Sequence, residues 1–274
     1  MEQPLVSVVM ATFNEPAGFI TASVESILKQ TYPRLELIIA DDSTSEDTRD
    51  VIDAFAKKDS RVKVIRHKER MGFVRALNEG LCQASGKYIA RMDGDDISLP
   101  DRIRKEVDYL EKHGHVDVLG GAMDIIDEKG TVVSERFYPL YGLKLHVWAV
   151  LRNPLAHPTV MLRSSLVRQG FCYDEGQKKA EDIELWLRLK VSGFRIANLP
   201  DKLLNYRVVG DLSLKRKRDQ WIYNFKARKK NFTLRYPLFS VSSVLVSFAY
   251  TLIPQKLIGY MYKRENRKRL GKTE

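Results

Sequence analysis

Ala90-Arg91-Met92-Asp93-Gly94-Asp95-Asp96-Ile97-Ser98-Leu99-Pro100-Asp101-Arg102 is the stretch on which the reading of this chain turns. Three carboxylates, Asp93, Asp95 and Asp96, follow directly on the apolar run Tyr88-Ile89-Ala90. Charges this close repel one another unless a cation sits among the oxygens, and hard oxygen ligands suit Mg²⁺ or Mn²⁺. Gly94 lets the backbone turn tightly, so that Asp93 and Asp95 can face one side. The position is as informative as the composition, because open α/β sheets bind ligands beyond the carboxyl ends of their strands. The plainer alternative is a solvated acidic loop that supplies helix caps.

Upstream of this turn, strand and helix signals alternate. Leu5–Thr12, Leu35–Ala40, Arg61–Arg66 and Lys87–Ala90 read as strands. Ala17–Gln30, Ser45–Lys58 and Gly72–Ala84 read as helices between them, with Ser45 as a cap. Near-continuous apolar strands separated by amphipathic helices predict an α/β fold: a Rossmann-like, mostly parallel sheet flanked by helices. Pro100 fits the first turn of a helix to His113, capped by Ser98. Beyond residue 115 the rhythm loosens. Strands are expected at Val116–Ile126, Thr131–Phe137, Thr159–Leu162, Phe194–Asn198 and Leu203–Val209, with helices at Leu143–Leu151 and Glu181–Val191. Residues 1–213 thus form one domain, 1–100 as the nucleotide half and 101–213 as the acceptor half.

Phosphate recognition takes an unusual route in this pattern. No Gly-x-Gly-x-x-Gly follows the first strand; Thr12-Phe13-Asn14-Glu15-Pro16 stands there instead. A pyrophosphate therefore lacks its usual backbone cradle, and the acidic turn with its cation would supply the missing positive charge.

Five ordered segments now resemble the family 2 glycosyltransferases of the GT-A fold. They are Val6–Glu15, Leu37–Thr44 with Asp41-Asp42, Met71–Gly80, Met92–Asp96, and Ala180-Glu181-Asp182-Ile183-Glu184-Leu185-Trp186. The resemblance covers residues 5 to 209. It implies an inverting enzyme that takes a sugar from a nucleotide-sugar donor, a UDP-sugar first among these, to a hydroxyl of a glycan or lipid-linked glycan. Surface polysaccharide assembly is the implied setting.

On this resemblance Thr12, Glu15, Asp42, Asp93 and Arg75 bind the donor. Asp42 would accept the imide N–H of the base, while Asp41 would brace the loop through backbone N–H groups. Asp95 is the expected direct metal ligand and Asp93 the second metal-site residue, at the ribose or behind Asp95, with Asp96 sharing the metal or the sugar hydroxyls. Asp182 is the expected general base; Glu181 and Glu184 lie on the same turn, and simple helix capping is the rival reading. Trp186, Glu181 and His157 are assigned to the acceptor, although Trp186 could be core and His157 a structural histidine. Arg75 and Arg70 are phosphate candidates, against a surface salt bridge for either. One departure stands out. Relatives carry a His after the Tyr-Arg pair, and Tyr206-Arg207-Val208-Val209 has valine there.

The net charge of +11 is concentrated at one end. Residues 214–274 hold 16 Lys/Arg against 3 Asp/Glu, so the remainder is slightly acidic. Within that tail, residues 236–255 carry no charge, and Ser240, Ser243, Ser247 and Thr251 mark a polar stripe at helical spacing. Basic clusters on both flanks argue against a span, which leaves its positive excess on one side. They favour a helical, basic and apolar tail lying on an anionic membrane surface. The alternatives are packing on the domain or on a second subunit, and a true span. Met1-Glu2-Gln3-Pro4 gives no basic leader and Cys82 and Cys172 have no metal spacing, so a cytoplasmic protein, peripheral on the membrane's cytoplasmic face, is expected. Two readings from other classes compete: a catalytically silent nucleotide- or glycan-binding module on the same fold, and a nucleic-acid-binding protein using the tail. The second is disfavoured, since no nucleic acid would bury the apolar run.

Overall fold

A computed structural model describes residues 3–67, 69–210 and 218–253. The first strand, β1 (Val6–Thr12), is buried along its whole length, as is β2 (Leu35–Asp41). Burial on both faces is why these strands read as unbroken apolar runs rather than as alternating ones. Val6, Val8 and Met10 enter one core cluster, and Val9 and Ala11 the other, so the sheet separates two apolar layers. The helices α1 (Ala17–Leu28) and α2 (Glu46–Lys58) follow β1 and β2. Then come β3 (Val62–Arg66), α3 (Phe73–Gln83), β4 (Tyr88–Asp93), the short β5 (Ile97–Ser98) and α4 (Arg102–Lys112).

The second half contains β6 (Val118–Ile126), β7 (Val132–Arg136), α5 (Gly142–Leu151), β8 (Met161–Arg163), α6 (Ser164–Arg168), α7 (Glu181–Val191) and β9 (Ile196–Arg207). The sheet runs β3-β2-β1-β4-β8-β6-β9-β5, with β7 paired to β6. Pairings among β3, β2, β1 and β4 are all parallel; β8 joins β4 and β6 antiparallel, and β6 pairs β9 in parallel. The strand order reverses at β1, whose neighbours are β2 and β4, which places the ligand crevice of such a sheet at their carboxyl ends. There the register aligns Thr12 with Asp41, and Ala11 with Asp93.

Several expected details differ. The strands expected at Phe194–Asn198 and Leu203–Val209 are one strand, β9, which passes through Pro200 because β6 accepts an irregular register at Gly120–Met123. Ser98 lies in β5 and does not cap α4; Asp101 occupies that position without a side-chain cap. Ser45 makes no capping bond either. The side-chain oxygen of Asn14 instead accepts from the amides of Thr44 (2.7 Å) and Ser45 (2.8 Å), and so ties the loop after β1 to the start of α2.

The tail contributes α8 (Arg218–Lys230) and α9 (Pro237–Leu252). They pack on each other, α8 also on α7 and α9 on α5. The serine stripe faces inward: Ser240, Ser243 and Ser247 are buried, whereas Leu238, Leu245 and Leu252 are exposed. Small side chains let the helix approach its neighbours closely. No helix among the described residues is long and apolar enough to cross a membrane. The basic run expected at Lys256–Lys272 lies outside the described residues.

Candidate active site

Asp93, Asp95 and Asp96 converge at the end of β4, where one carboxylate oxygen from each lies within 4.8 Å of the others. Gly94 makes this possible, because a Cβ there would come within 2.9 Å of Ile20 and 3.1 Å of Thr12. Asp96 is fully buried; one oxygen accepts from the Arg207 amide at 2.8 Å, and the other, Oδ2, is buried without a hydrogen-bond partner. Burial, together with the neighbouring charges of Asp93 and Asp95, pushes the Asp96 carboxyl well above its ordinary value. An orphaned buried oxygen within an acidic, all-oxygen cluster fits a hard divalent cation. Asp95 and Asp96 are the residues placed to hold one. Asp93, expected on the metal with Asp95, lies in the same cluster but has both oxygens engaged by the guanidinium of Arg91, Nη1 donating at 2.6 Å to Oδ2 and Nη2 donating to Oδ1.

Arg91 is a site residue that sequence reading passed over. It alternates with Asp93 along β4, so both side chains leave the same face of the strand. It is buried, and its guanidinium lies over Phe73 at 5.5 Å from the ring centroid. Its charge reaches Asp96 as well as Asp93, and it also favours the ionised forms of Glu181 and Asp182. An arginine within an apolar strand was the available signal, since a buried guanidinium requires anionic partners. Arg207 plays a similar part from β9. Its Nε donates to the Asp95 carbonyl at 2.9 Å and its Nη1 to the carbonyls of Asp127 and Glu128, which fixes the acidic turn against the β6–β7 connection. Val208, the valine that follows this pair, is buried in the main apolar core.

Also within reach of the Arg91 charge, Asp182 lies in the first turn of α7. Its Oδ1 accepts from the Ile183 amide at 2.7 Å and its Oδ2 from the side-chain amide of Asn153. Burial raises its carboxyl above the ordinary value, while these two donors and Arg91 pull it back. Burial and the adjacent Asp182 push Glu181 up to about 7. Asn153, just past the end of α5, is the second residue not singled out in advance, although it lies four residues before His157.

The residues expected to bind the nucleotide are more firmly held than the sequence suggests. Thr12 donates to Asp41 Oδ1 at 3.1 Å, and the Ser43 amide donates to the same oxygen at 2.9 Å, so Asp41 does brace the loop. Asp42 is buried and pinned as well: His67 contacts Oδ1 at 2.7 Å and the Gly72 amide donates to Oδ2 at 2.6 Å. A carboxylate retains further lone pairs for a base. Glu15 receives the Phe13 amide at 2.8 Å, and burial, with Asp95 and Asp93 nearby, lifts it to about 7. It therefore faces the acidic cluster.

Three expected residues are placed elsewhere. Arg75 is exposed and pairs with Glu175 at 2.9 Å, which ties α3 to the loop before α7 rather than leaving it over a phosphate. Trp186 is 1% exposed and sits in the packed layer under the cleft, since its position one turn after Asp182 points it at the sheet. His157 is buried with it, its Nε2 2.7 Å from the Tyr173 hydroxyl and its ring edge-on to Trp186. Neither ring offers a surface to an acceptor in this arrangement. Arg70 stacks over the exposed Phe13 at 3.8 Å, at the mouth of the nucleotide side.

Comparisons with known proteins agree with this geometry. The family model described as Glycosyl transferase family 2 matches residues 7–171. The amylovoran biosynthesis glycosyltransferase AmsE of Erwinia amylovora is 30% identical over 271 residues, covering 96% of this chain and all of that protein. Among solved structures, Staphylococcus aureus TarS residues 1–349 with UDP-GlcNAc superposes with a TM-score of 0.64 at 23% identity, over 82% of this chain and 66% of that one. Against a longer TarS structure the chain spans only 39%. The mannosyltransferase PcManGT of Pyrobaculum calidifontis, solved with GDP-Man and Mn²⁺, matches at a TM-score of 0.63 and 18% identity, over 94% of this chain and 72% of that one. At these identities the two structures speak to the fold.

Proposed function

The chain belongs to glycosyl transferase family 2, and on that premise we propose that it transfers a sugar from a nucleotide-sugar donor to a hydroxyl of a glycan acceptor, with inversion at the anomeric carbon. The observation that carries this reading is the pairing of two acidic centres through one buried cation. Arg91 lies within electrostatic reach of Asp93 and Asp96 on one side and of Glu181 and Asp182 on the other. Donor chemistry and acceptor chemistry can thus share one cleft.

In this reading the nucleoside rests at the ends of β1 and β2, among Thr12, Phe13 and Asp42. A Mg²⁺ or Mn²⁺ held by Asp95 and Asp96 would supply the charge that offsets the diphosphate, a role the missing glycine-rich loop leaves open. PcManGT, which contains Mn²⁺ with GDP-Man, supports that assignment for the fold. Asp182 takes the proton of the acceptor hydroxyl while that oxygen bonds to the anomeric carbon; the bond from that carbon to the donor phosphate breaks, and the nucleoside diphosphate leaves. Asn153 and the Ile183 amide hold the Asp182 carboxylate in one orientation, and Glu181 shares its acidic environment. UDP-sugars come first as donors, supported by the UDP-GlcNAc complex of TarS. Polysaccharide assembly is the proposed setting, supported by the role that AmsE carries in its name.

The test is a panel of UDP-, GDP- and dTDP-sugars scored for hydrolysis and thermal stabilisation, with and without Mn²⁺. A donor that both stabilises the chain and is hydrolysed only with metal is expected. Stabilisation without any turnover, for any donor and acceptor mixture, would instead identify a silent binding module.

A further inference from the structure

The serine stripe of α9 is turned inward, which inverts the polarity of the molecule's surface at this place. Ser240, Ser243 and Ser247 are each no more than 3% exposed, packed against α5 and α8, and Ser243 receives a hydrogen bond from the buried Arg228 at 2.6 Å. The opposite side of the same helix presents Leu238 (86% exposed), Val241, Leu245 (62%), Phe248 and Leu252 (65%) to solvent. Its neighbour α5 does likewise with Leu143 (79%), Val147 and Leu151 at helical spacing. Singly exposed leucines need no explanation, but two packed helices that each turn an apolar stripe outward mark a surface built to be covered.

Charge decides what covers it. Residues 142–153 and 220–253 contain no Asp or Glu at all. Lys144 and Arg152 on the α5 side, and Lys229 and Arg235 near the α8–α9 turn, are exposed. The sequence that follows, residues 256–274, adds 7 Lys/Arg against 2 Asp/Glu. A second copy meeting this face with its own would bring the same Lys144, Arg152, Lys229 and Arg235, and residues 142–153 and 220–253 hold no carboxylate to meet them. An anionic lipid surface is complementary to both properties, taking the leucines below its headgroups and the cations among them. At 16 residues the described α9 is shorter than the ~20 needed to span a bilayer, and its serine face is taken up by α5 and α8.

We propose that the outward stripes of α5 and α9 rest on an anionic membrane surface, and that the acceptor sugar reaches Asp182 on a lipid carrier held in that membrane. The acceptor clause rests on the transferase reading above. Its structural basis is continuity: α5 ends at Leu151, and Asn153, two residues on, donates to Asp182. The stripe that would meet lipid therefore borders the acceptor side of the cleft.

Full-length protein sedimented with phosphatidylcholine vesicles, with and without phosphatidylglycerol, tests this. Binding is expected only with the anionic lipid and should weaken with salt. Leu245→Glu and Leu143→Glu should each lower the vesicle partition constant by on the order of tenfold, with donor hydrolysis in solution unchanged in both. No vesicle binding, or binding that survives both substitutions, overturns the proposal. So does a dimer in light scattering that Leu245→Glu splits, because that assigns the face to a second copy. A chain that binds vesicles through these leucines but hydrolyses no nucleotide sugar sinks the transferase reading and the acceptor clause, while leaving the membrane contact standing.

Discussion

Asn153 and the Ile183 amide both donate to Asp182, and both favour the ionised form of a carboxyl that burial pushes the other way. A general base must be ionised, so the rate is expected to fall as pH drops through the Asp182 value. Asn153→Ala removes one donor and raises that value, and the acid limb of kcat/KM should move to higher pH, as a pH–rate profile would reveal. Asp182→Asn removes the base itself. Transfer should drop by roughly 10²- to 10⁴-fold, while the donor's stabilisation of the folded chain in a thermal shift assay stays near that of the unsubstituted protein. Loss of both would refute the division of roles. Arg91→Leu strands Asp93 beside the cluster. Removing one partner of a fully buried pair costs about 3–5 kcal/mol, and about 2–3 kcal/mol is expected here, because Asp93 keeps some contact with water. Urea denaturation measures it.

At the level of elements, the tight joints of the sheet are more sensitive than its surfaces. Gly86 precedes β4, and a Cβ there would lie 2.7 Å from the Leu5 carbonyl and 2.7 Å from the Ser7 amide, both backbone atoms that cannot step aside. Gly86→Ala is expected to destabilise by about 1–3 kcal/mol, visible as a lowered denaturation midpoint. The same logic applies to the inner face of α9. Ser243→Leu would overfill the contact with α8 and remove a hydrogen-bond partner of Arg228. Limited proteolysis should then cut within residues 231–253 earlier than in the parent chain. If cleavage were unchanged, the inward orientation of the serine stripe would be refuted.

For the whole molecule, acid stability has an identifiable source at the end of the sheet opposite the cleft. Glu36 accepts from Lys63 at 2.6 Å, Ser7 at 2.5 Å and the hydroxyl of Ser85 at 2.7 Å. Burial opposes ionisation there, but the donors outweigh it and hold the carboxyl down at about 2, against 4.5 unperturbed. A carboxyl lowered on folding contributes stability that is complete above its unfolded value and lost as pH falls toward its folded one. Melting temperature should therefore decline between about pH 4.5 and about pH 2, and Glu36→Gln should flatten that decline. The network lies far along the strands from the acidic cluster, so donor binding above this range should be unaffected.

The apolar strands, the helices between them, the acidic turn and the acid pair before Trp186 were all legible in the sequence, because each is fixed by short-range periodicity or by the adjacency of like charges. The serine period on α9 was legible too, but not the direction it faces. A helical stripe defines a face, whereas which face is buried depends on what packs against it, and that is α5 and α8. The same limit explains the remaining differences. Trp186 and His157 could have lined the cleft or the core, and the sheet's geometry sends them inward; Arg75 found Glu175 a hundred residues away. Arg91 pairs with Asp93 two residues away, but its influence on Glu181 and Asp182, like Asn153's bond to Asp182, exists only once strand pairing and helix packing bring β4, α5 and α7 together. Local pattern determined which chemistry the chain carries. Tertiary packing decided which side chains face that chemistry, because burial and long-range contact are properties of the folded chain as a whole.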